Sequence, residues 1–269
     1  MYLVFDIGGT KMRVAYSSDG NNFDEPLIVS TPQDVNEGMS VFRELVSRAA
    51  AGRVVHKVIG GVPGPLDPMR SKLLAAPHLS GWVKYPIKDA LSAICKTEVL
   101  LENDAALVAL GEASVGAGKG HRIVAYITVS TGVGGCRIVG GRIDENALGF
   151  EIGHQIIHTN GPVYLEDLIS GAALEREHGK RVTEISDKLV FDKAAEYLAY
   201  GINNLIVHWS PNVVVIGGFL AHIIPLDLVR AHINRVVRIF PIKPPIERTV
   251  LGDTGGLHGA LAYAKYIAI

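Results

Sequence analysis

Apolar runs that stop at glycine or at a polar cluster set the rhythm of this chain. Residues 2–5, Tyr-Leu-Val-Phe, form one such run, halt at Asp6, Ile7, Gly8, Gly9, Thr10 and Lys11, and give way to a second run over residues 12–16. The pattern predicts a strand, a tight glycine turn and a returning strand. Another strand is expected over residues 24–31. Asp34 and Glu37 then have capping-box spacing, and Val35, Met39, Phe42, Val46 and Ala49 share a helical face, so a core-packing helix follows. Residues 58–62 read as a short buried strand ended by Pro63, Gly64 and Pro65, and residues 72–76 as a returning strand. Residues 77–82 read as a loop, and Ile87, Ala90, Leu91 and Ile94 as the inner face of the next helix.

The chain turns on the stretch that comes next. Val99, Leu100 and Leu101 form a buried strand that ends at Glu102, Asn103 and Asp104, after which residues 105–110 continue as a helix to about Glu112. A polar triplet between a strand's carboxyl end and a helix's amino end lies where α/β folds bind ligands and where backbone N–H groups are left free. Asp104 reads either as an N-cap or as a catalytic carboxylate.

The second half repeats the first. Residues 123–129 make a long apolar strand that meets Ser130, Thr131, Gly132, Val133, Gly134 and Gly135, and strand character resumes from Cys136. Gly8 and Gly9 can take positive φ and let backbone N–H groups approach an anion, with Thr10 and Lys11 adding a hydroxyl and a positive charge. The spacing is not that of a P-loop. Two such turns, one opening each half, imply a duplicated fold gripping one polyphosphate. Glu151 and His154 are spaced to share a face if they lie on a helical turn, and Glu166 follows. A carboxylate that accepts and an imidazole that does either suit the hydroxyls of a sugar. A helix is expected over residues 192–209, a buried strand over 213–216 closed by Gly217 and Gly218, where a flat ring could lie against the backbone, an amphipathic stretch over 226–240, a strand over 248–251, and a last helix from Gly255.

Composition narrows the function. The 269 residues are 48% hydrophobic and 20% charged, enough for two α/β domains with buried cores. A net charge of −1 with scattered basic residues offers no footprint for nucleic acid or an anionic membrane. Cys95 and Cys136 form no zinc or disulfide pattern. No apolar run approaches a membrane span, and a cytoplasmic protein with small-molecule ligands is expected.

The motifs DIGGTK at Asp6, ENDA at Glu102, STGVGG at Ser130, FEIGH at Phe150 and VVVIGG at Val213 together resemble the ROK family of sugar kinases, nearly end to end. The resemblance implies an α/β actin-like ATPase (ribonuclease H-like) fold of two domains with a central cleft. One domain would span residues 1–104, joined by a C-terminal helix at about 255–269, and the other residues 105–254. It implies transfer of the γ-phosphate of ATP to a hexose or N-acetylhexosamine hydroxyl, the 6-OH, with Asp104 as general base. Asn103, Glu151, His154 and Glu166 would bind the sugar, with Gly64 at its border. Asp6 would hold Mg²⁺ through water, with Gly8, Gly9, Thr10 and Lys11 facing the phosphates. Thr131, Gly132 and Gly134 would form the second phosphate turn, and Gly217 and Gly218 would lie beside the adenosine. The resemblance leaves a homodimer open.

The chain departs from the family in three places. Residues 159–164 stand where zinc-bearing members place a cysteine cluster, so no structural zinc is expected. Ser130 and Cys136 flank the second turn, and Phe150 replaces a glycine, which would narrow the sugar pocket. His78 stands where asparagine is common. The alternative is a non-catalytic sugar or nucleotide sensor of the same fold. The family's repressors carry a helix-turn-helix ahead of this region, whereas the first strand here begins at Tyr2, so DNA binding by that route is not expected.

Overall fold

The computed structural model describes residues 1–158 and 161–267, with the side chain of Ile267 excepted. The chain begins with β1 (Tyr2–Ile7), β2 (Lys11–Ser17) and β3 (Leu27–Ser30), continues through α1 (Val35–Ala50) and β4 (Lys57–Val62), and reaches α2 (Ile87–Cys95), β5 (Val99–Asn103) and α3 (Asp104–Val115). Next come β6 (Ile123–Val129), β7 (Val133–Val139) and β8 (Arg142–Ile143), then β9 (Ile156–His158), β10 (Val163–Tyr164), α4 (Leu165–Ile169), α5 (Gly171–His178) and α6 (Lys188–Trp209). β11 (Val213–Gly217), α7 (Phe219–Ile223), α8 (Leu226–Val236), β12 (Ile246–Arg248) and α9 (Gly255–Ile267) complete it. No helix among the described residues is long and apolar enough to cross a membrane.

Two compact units result. The first comprises Met1–Val115, Glu145–Gly149 and the segment from Leu251, and the second Gly116–Asp144 and Phe150–Val250. Each is built on a five-stranded sheet, in the order β3-β2-β1-β4-β5 and β8-β7-β6-β11-β12. In the first sheet β1 pairs antiparallel with β2 and parallel with β4, and β5 adds parallel to β4. In the second, β6 pairs antiparallel with β7 and parallel with β11, and β12 adds parallel to β11. The two sheets have one topology, which is the duplication the paired glycine turns imply.

The cores explain why the runs are so apolar. β1 and β4 pack with α1 and α2 through Leu3, Phe5, Phe42, Val58, Leu91 and others, all buried. Strands covered on both faces tolerate no polar alternation, which is why β11 is buried at all its positions. Asp34 caps α1 by accepting from the N–H groups of Asn36 and Glu37, as its spacing predicts.

The structure redraws several boundaries. The strand expected over residues 24–31 is confined to β3, because Pro26 offers no N–H and Asp24 is tied to the Tyr16 carbonyl. Residues 72–76 form no strand. Leu73 makes only single bridges to Leu66 and Val83, while Asp67 captures the N–H groups of Ser71 and Lys72. α6 starts at Lys188 behind an Asp187 cap, α8 ends at Val236, and the closing strand lies at Ile246–Arg248. The expected domain boundary at residue 104 moves to 115, because α3 packs on α9 within the first unit. A Cβ on Gly259 would sit 1.8 Å from the Leu107 carbonyl oxygen, and one on Gly111 would sit 2.3 Å from that of Gly255. The return to the first unit begins at Leu251, four residues before α9.

Candidate active site

In the first unit, the β1–β2 turn is closed by the Gly8 N–H donating to the Lys11 carbonyl at 2.9 Å. Thr31 pins it from outside, its hydroxyl donating to the Gly8 carbonyl at 2.8 Å and its N–H to that of Thr10 at 3.0 Å. Neither Gly8 nor Gly9 takes positive φ, contrary to expectation. Gly9 is required for space instead, since a Cβ there would lie 2.9 Å from the Cβ of His78. The loop carrying His78 therefore rests on this turn.

Asp6, at the end of β1, is 7% exposed, and Arg13 Nη1 donates to its carboxylate at 3.0 Å. Burial pushes the Asp6 carboxyl up to about 6 despite the pull of Arg13. The other end of the same guanidinium donates to Asp253 at 2.8 Å, and Lys11 donates to Asp253 at 2.9 Å. Lys11 and Arg13 hold the Asp253 carboxyl below its ordinary range. Gly256, in the first turn of α9, leaves room for Asp6, because a Cβ there would meet its carboxyl carbon at 3.0 Å. Among the described residues no three His, Cys, Asp or Glu side chains gather as a metal cluster. Mg²⁺ needs less than that, since it keeps its waters and uses one or two carboxylates together with substrate phosphates. Asp6 and Asp253, hard oxygen donors on one guanidinium, fit that requirement.

At the end of β5, Asn103 does the helix-capping work for which Asp104 was a candidate. Its Oδ1 accepts from the Ala106 N–H at 3.0 Å and its Nδ2 donates to the Gly64 carbonyl at 3.2 Å. Asp104 is the first residue of α3, half-buried, and its Oδ1 accepts from the Ala105 N–H at 2.8 Å. Gly61 on β4 permits this approach, for a Cβ there would lie 2.9 Å from the Asp104 Cα. Gly64 has φ +103° and would drive a Cβ to 2.2 Å from the Ala75 carbonyl oxygen, so only glycine serves there.

In the second unit, the Ser130 N–H donates to the Gly132 carbonyl at 2.9 Å, closing the β6–β7 turn. Thr131 sits at its tip, and its carbonyl accepts from the Ala172 N–H at 3.1 Å, while that of Ser130 accepts from Gly171 at 2.7 Å. Gly134 lies within β7, opposite Thr128. Glu166 Oε2 accepts from the Val133 N–H at 2.7 Å. Ile152–His154 form a 3-10 turn rather than α-helix, opened by Glu151, whose carbonyl accepts from the His154 N–H at 3.0 Å. Glu151 is exposed as a residue, yet its carboxyl is held above its usual range. Neighbouring atoms strip water from it, His154 opposes the shift, and the charge of Glu166 adds to it. Glu151 thus lies within electrostatic reach of the other two expected sugar-binding side chains of this unit, His154 and Glu166.

Gly217 and Gly218 serve the chain itself. A Cβ on Gly217 would meet the Tyr126 hydroxyl at 2.5 Å, and one on Gly218, at φ +87°, the Val129 carbonyl oxygen at 2.3 Å. Close packing of β6 against β11 therefore requires glycine at both positions.

A family model described as "ROK family" matches residues 2–267. The chain belongs to the ROK family. It is similar to the ROK hexokinase of Thermus thermophilus, with a TM-score of 0.84 and 30% identity over 99% of each chain. It is also similar to a ROK family glucokinase of Streptomyces griseus solved with glucose and AMPPNP, at a TM-score of 0.83 and 26% identity, covering 98% of this chain and 99% of that one. The N-acetyl-D-glucosamine kinase of Yersinia pseudotuberculosis is 29% identical over 97% of each chain. The fold is the actin-like ATPase fold of ROK sugar kinases.

Against this ROK background two of the departures have a place in the packing. The ring of Phe150 packs edge-on against Trp209 at 5.3 Å and joins the core of the second unit. His78 takes its place against Gly9. Of the segment standing in for the cysteine cluster, Thr159 and Asn160 lie outside the described residues, and Val163 and Tyr164 form β10. Sequence reading missed Arg13, Thr31 and Asp253. The only available signal was a charged residue in a glycine-rich segment, LGDTGG, just ahead of the last helix.

Proposed function

We propose that this ROK protein is an ATP-dependent sugar kinase, moving the γ-phosphate of ATP to the 6-OH of a hexose or N-acetylhexosamine, with Asp104 as general base. The observation that carries the reading is the division of labour at the end of β5. Asn103 both caps α3 and holds Gly64, so the carboxylate at the next position is not the cap of the helix it begins. The relatives' names, hexokinase, glucokinase and N-acetylglucosamine kinase, support the substrate class.

Phosphoryl transfer asks for an aligned nucleophile and neutralised charge more than for covalent chemistry. In this reading Asp104 accepts a hydrogen bond from the sugar hydroxyl. It takes the proton as the oxygen–phosphorus bond forms and the bond from the γ-phosphorus to the ADP oxygen breaks. A loose transition state needs no alkoxide beforehand. Asn103, Glu151, His154 and Glu166 orient the sugar, with Gly64 at its border. The turns at Gly8, Gly9, Thr10 and Lys11 and at Thr131, Gly132 and Gly134 face the phosphates, and Gly217 and Gly218 lie on the adenosine side. Asp6 would hold Mg²⁺ through water, and the ion would offset phosphate charge. A coupled assay of ADP release across glucose, mannose, fructose, N-acetylglucosamine and N-acetylmannosamine tests the reading. Turnover on at least one, with slow ATP hydrolysis in its absence, is expected. Silence on all five, with sugar binding retained, would make the protein a sensor.

A further inference from the structure

Glu102 stands one residue before Asn103 and two before Asp104, and it is only 4% exposed. A carboxylate buried that deeply persists only where partners replace its lost water. Glu102 has three, drawn from separate parts of the first unit. The Arg70 guanidinium donates to its Oε1, the Asn103 backbone N–H donates to the same oxygen at 2.8 Å, and the Tyr263 hydroxyl of α9 hydrogen-bonds to it as well.

Arg70 reaches Glu102 from an unusual backbone. It has φ +49°, in the left-handed region that side chains other than glycine avoid. The tight turn that imposes this is built by Asp67. Its carbonyl accepts from the Arg70 N–H at 2.8 Å, and its carboxylate accepts from the Ser71 N–H at 2.6 Å and the Ser71 hydroxyl at 2.8 Å. Six residues earlier, the same loop is tied by the Gly64 carbonyl, which accepts from Asn103 Nδ2 at 3.2 Å. The loop is therefore clasped at both ends by two consecutive residues, Glu102 and Asn103, and the next residue is Asp104.

We propose that Arg70 and Glu102 are positioning residues: together they close the 64–70 loop onto the end of β5 and fix the Asn103–Asp104 backbone in the orientation that phosphoryl transfer to the sugar requires. An apolar contact could hold the loop down equally well. It could not hold the Asn103 N–H, and so could not set the direction in which the next two side chains leave the strand. Arg70 acts through Glu102, and Glu102 through the Asn103 amide. The kinetic part of this proposal rests on the kinase reading, and the structural part does not.

The test compares Arg70→Ala, Arg70→Lys and Glu102→Gln with the wild type by thermal unfolding, steady-state kinetics on the accepted hexose and amide exchange at Asn103 and Ala106. In Arg70→Ala, kcat falls on the order of ten- to a hundredfold, the scale of a small misplacement of reacting groups. KM for ATP stays within about twofold, Arg70→Lys recovers a large part of the loss, and exchange at Asn103 accelerates about tenfold or more. If Arg70→Ala does not fold, Glu102→Gln, nearly the same shape, carries the same expectation. Unchanged kcat and sugar KM in a folded variant overturn the proposal, as does equal loss in Arg70→Ala and Arg70→Lys. If the wild type accepts no hexose, the kinase reading fails by itself, and exchange alone decides: faster exchange at Asn103 keeps the clasp, and unchanged exchange removes it.

Discussion

The Val133 backbone N–H donates to Glu166 Oε2 at 2.7 Å, so the first residue of β7 hangs from a carboxylate at the start of α4. Val133 directly follows Thr131 and Gly132, and Glu166 belongs to the proposed sugar-binding set. In the proposed reading, one side chain of the second unit therefore serves both the turn and the carbohydrate.

Two substitutions separate those duties. Glu166→Gln keeps an acceptor for the Val133 N–H, so KM for ATP is expected to stay within about twofold while KM for the sugar rises. Glu166→Ala strands that N–H, a loss of about 1–3 kcal/mol where the group is buried, and is expected to weaken both substrates and to lower the unfolding midpoint. Initial rates over a matrix of ATP and sugar concentrations check this. Equal effects of the two variants on ATP would mean that the contact does not hold the turn.

Asp104→Asn is expected to change stability by no more than about 1 kcal/mol, because asparagine keeps an acceptor for the Ala105 N–H and the cap of α3 is made by Asn103 Oδ1 on the Ala106 N–H. It should also leave sugar affinity within a few-fold, while turnover falls by roughly two orders of magnitude or more, the scale for a lost general base. Titration calorimetry with the sugar and single-turnover kinetics provide the comparison. A variant that phosphorylates at the wild-type rate removes Asp104 from the mechanism.

What the sequence disclosed and what it hid divide along a physical line. The two β-hairpin turns and the strand before Asn103 were legible because each is a local event, an apolar run cut by glycine or by polar residues. The common topology of the sheets follows from two such turns. The ion pairs were hidden because nothing local marks them: Arg13 meets Asp253 across 240 positions, and Arg70 meets Glu102 across 32. Leu73 and Leu74 imitated a strand because alternation cannot reveal that Asp67 has already taken the neighbouring N–H groups. The glycines at 217 and 218 read as room for a ligand, and only the fold shows their second duty, since a Cβ on either would meet Tyr126 or Val129. Phe150, read as a wall of the pocket, found Trp209 because only the fold brings that ring within range.

Acidity should act on Glu102 in a direction opposite to that of an ordinary surface carboxylate. Burial, the largest influence, raises its pKa above the ordinary 4.5, against the pull of Arg70, the Asn103 N–H and Tyr263. The folded state then binds the proton more tightly than the unfolded one, so stability falls as pH rises from about 4.5 through the folded pKa. Glu102→Gln has no such dependence, and its denaturation midpoint should gain on that of the wild type between pH 4.5 and neutrality. Paired urea titrations across that range measure the difference, in which the other titrating groups cancel. A glutamine variant that loses ground as pH rises would show the ionised form to be the stabilising one. A gain in stability with a loss of turnover in the same variant would separate the clasp's catalytic duty from its folding cost.

The contact between α3 and α9 is the last point at which packing bears on chemistry. A Cβ at Gly259 would lie 1.8 Å from the Leu107 carbonyl oxygen and 2.5 Å from its carbon, and backbone cannot step aside as a side chain does. Gly259→Ala must therefore push α3 away, at the upper end of the roughly 1–3 kcal/mol that overpacking costs, or beyond it. Gly255→Ala is the control, for its nearest neighbour is the Val108 Cγ1 at 3.0 Å, the tip of a side chain with room to adjust. Its midpoint should stay within about 1 kcal/mol of the wild type, since ordinary helix preference favours alanine over glycine by that order. Because Asp104 is the first residue of α3, the displaced helix in Gly259→Ala should also cost about tenfold or more in kcat, the scale of a small shift in a reacting group. Thermal unfolding and initial rates on the two variants decide it. A Gly259→Ala protein with wild-type stability and turnover would mean that α9 does not set the place of α3.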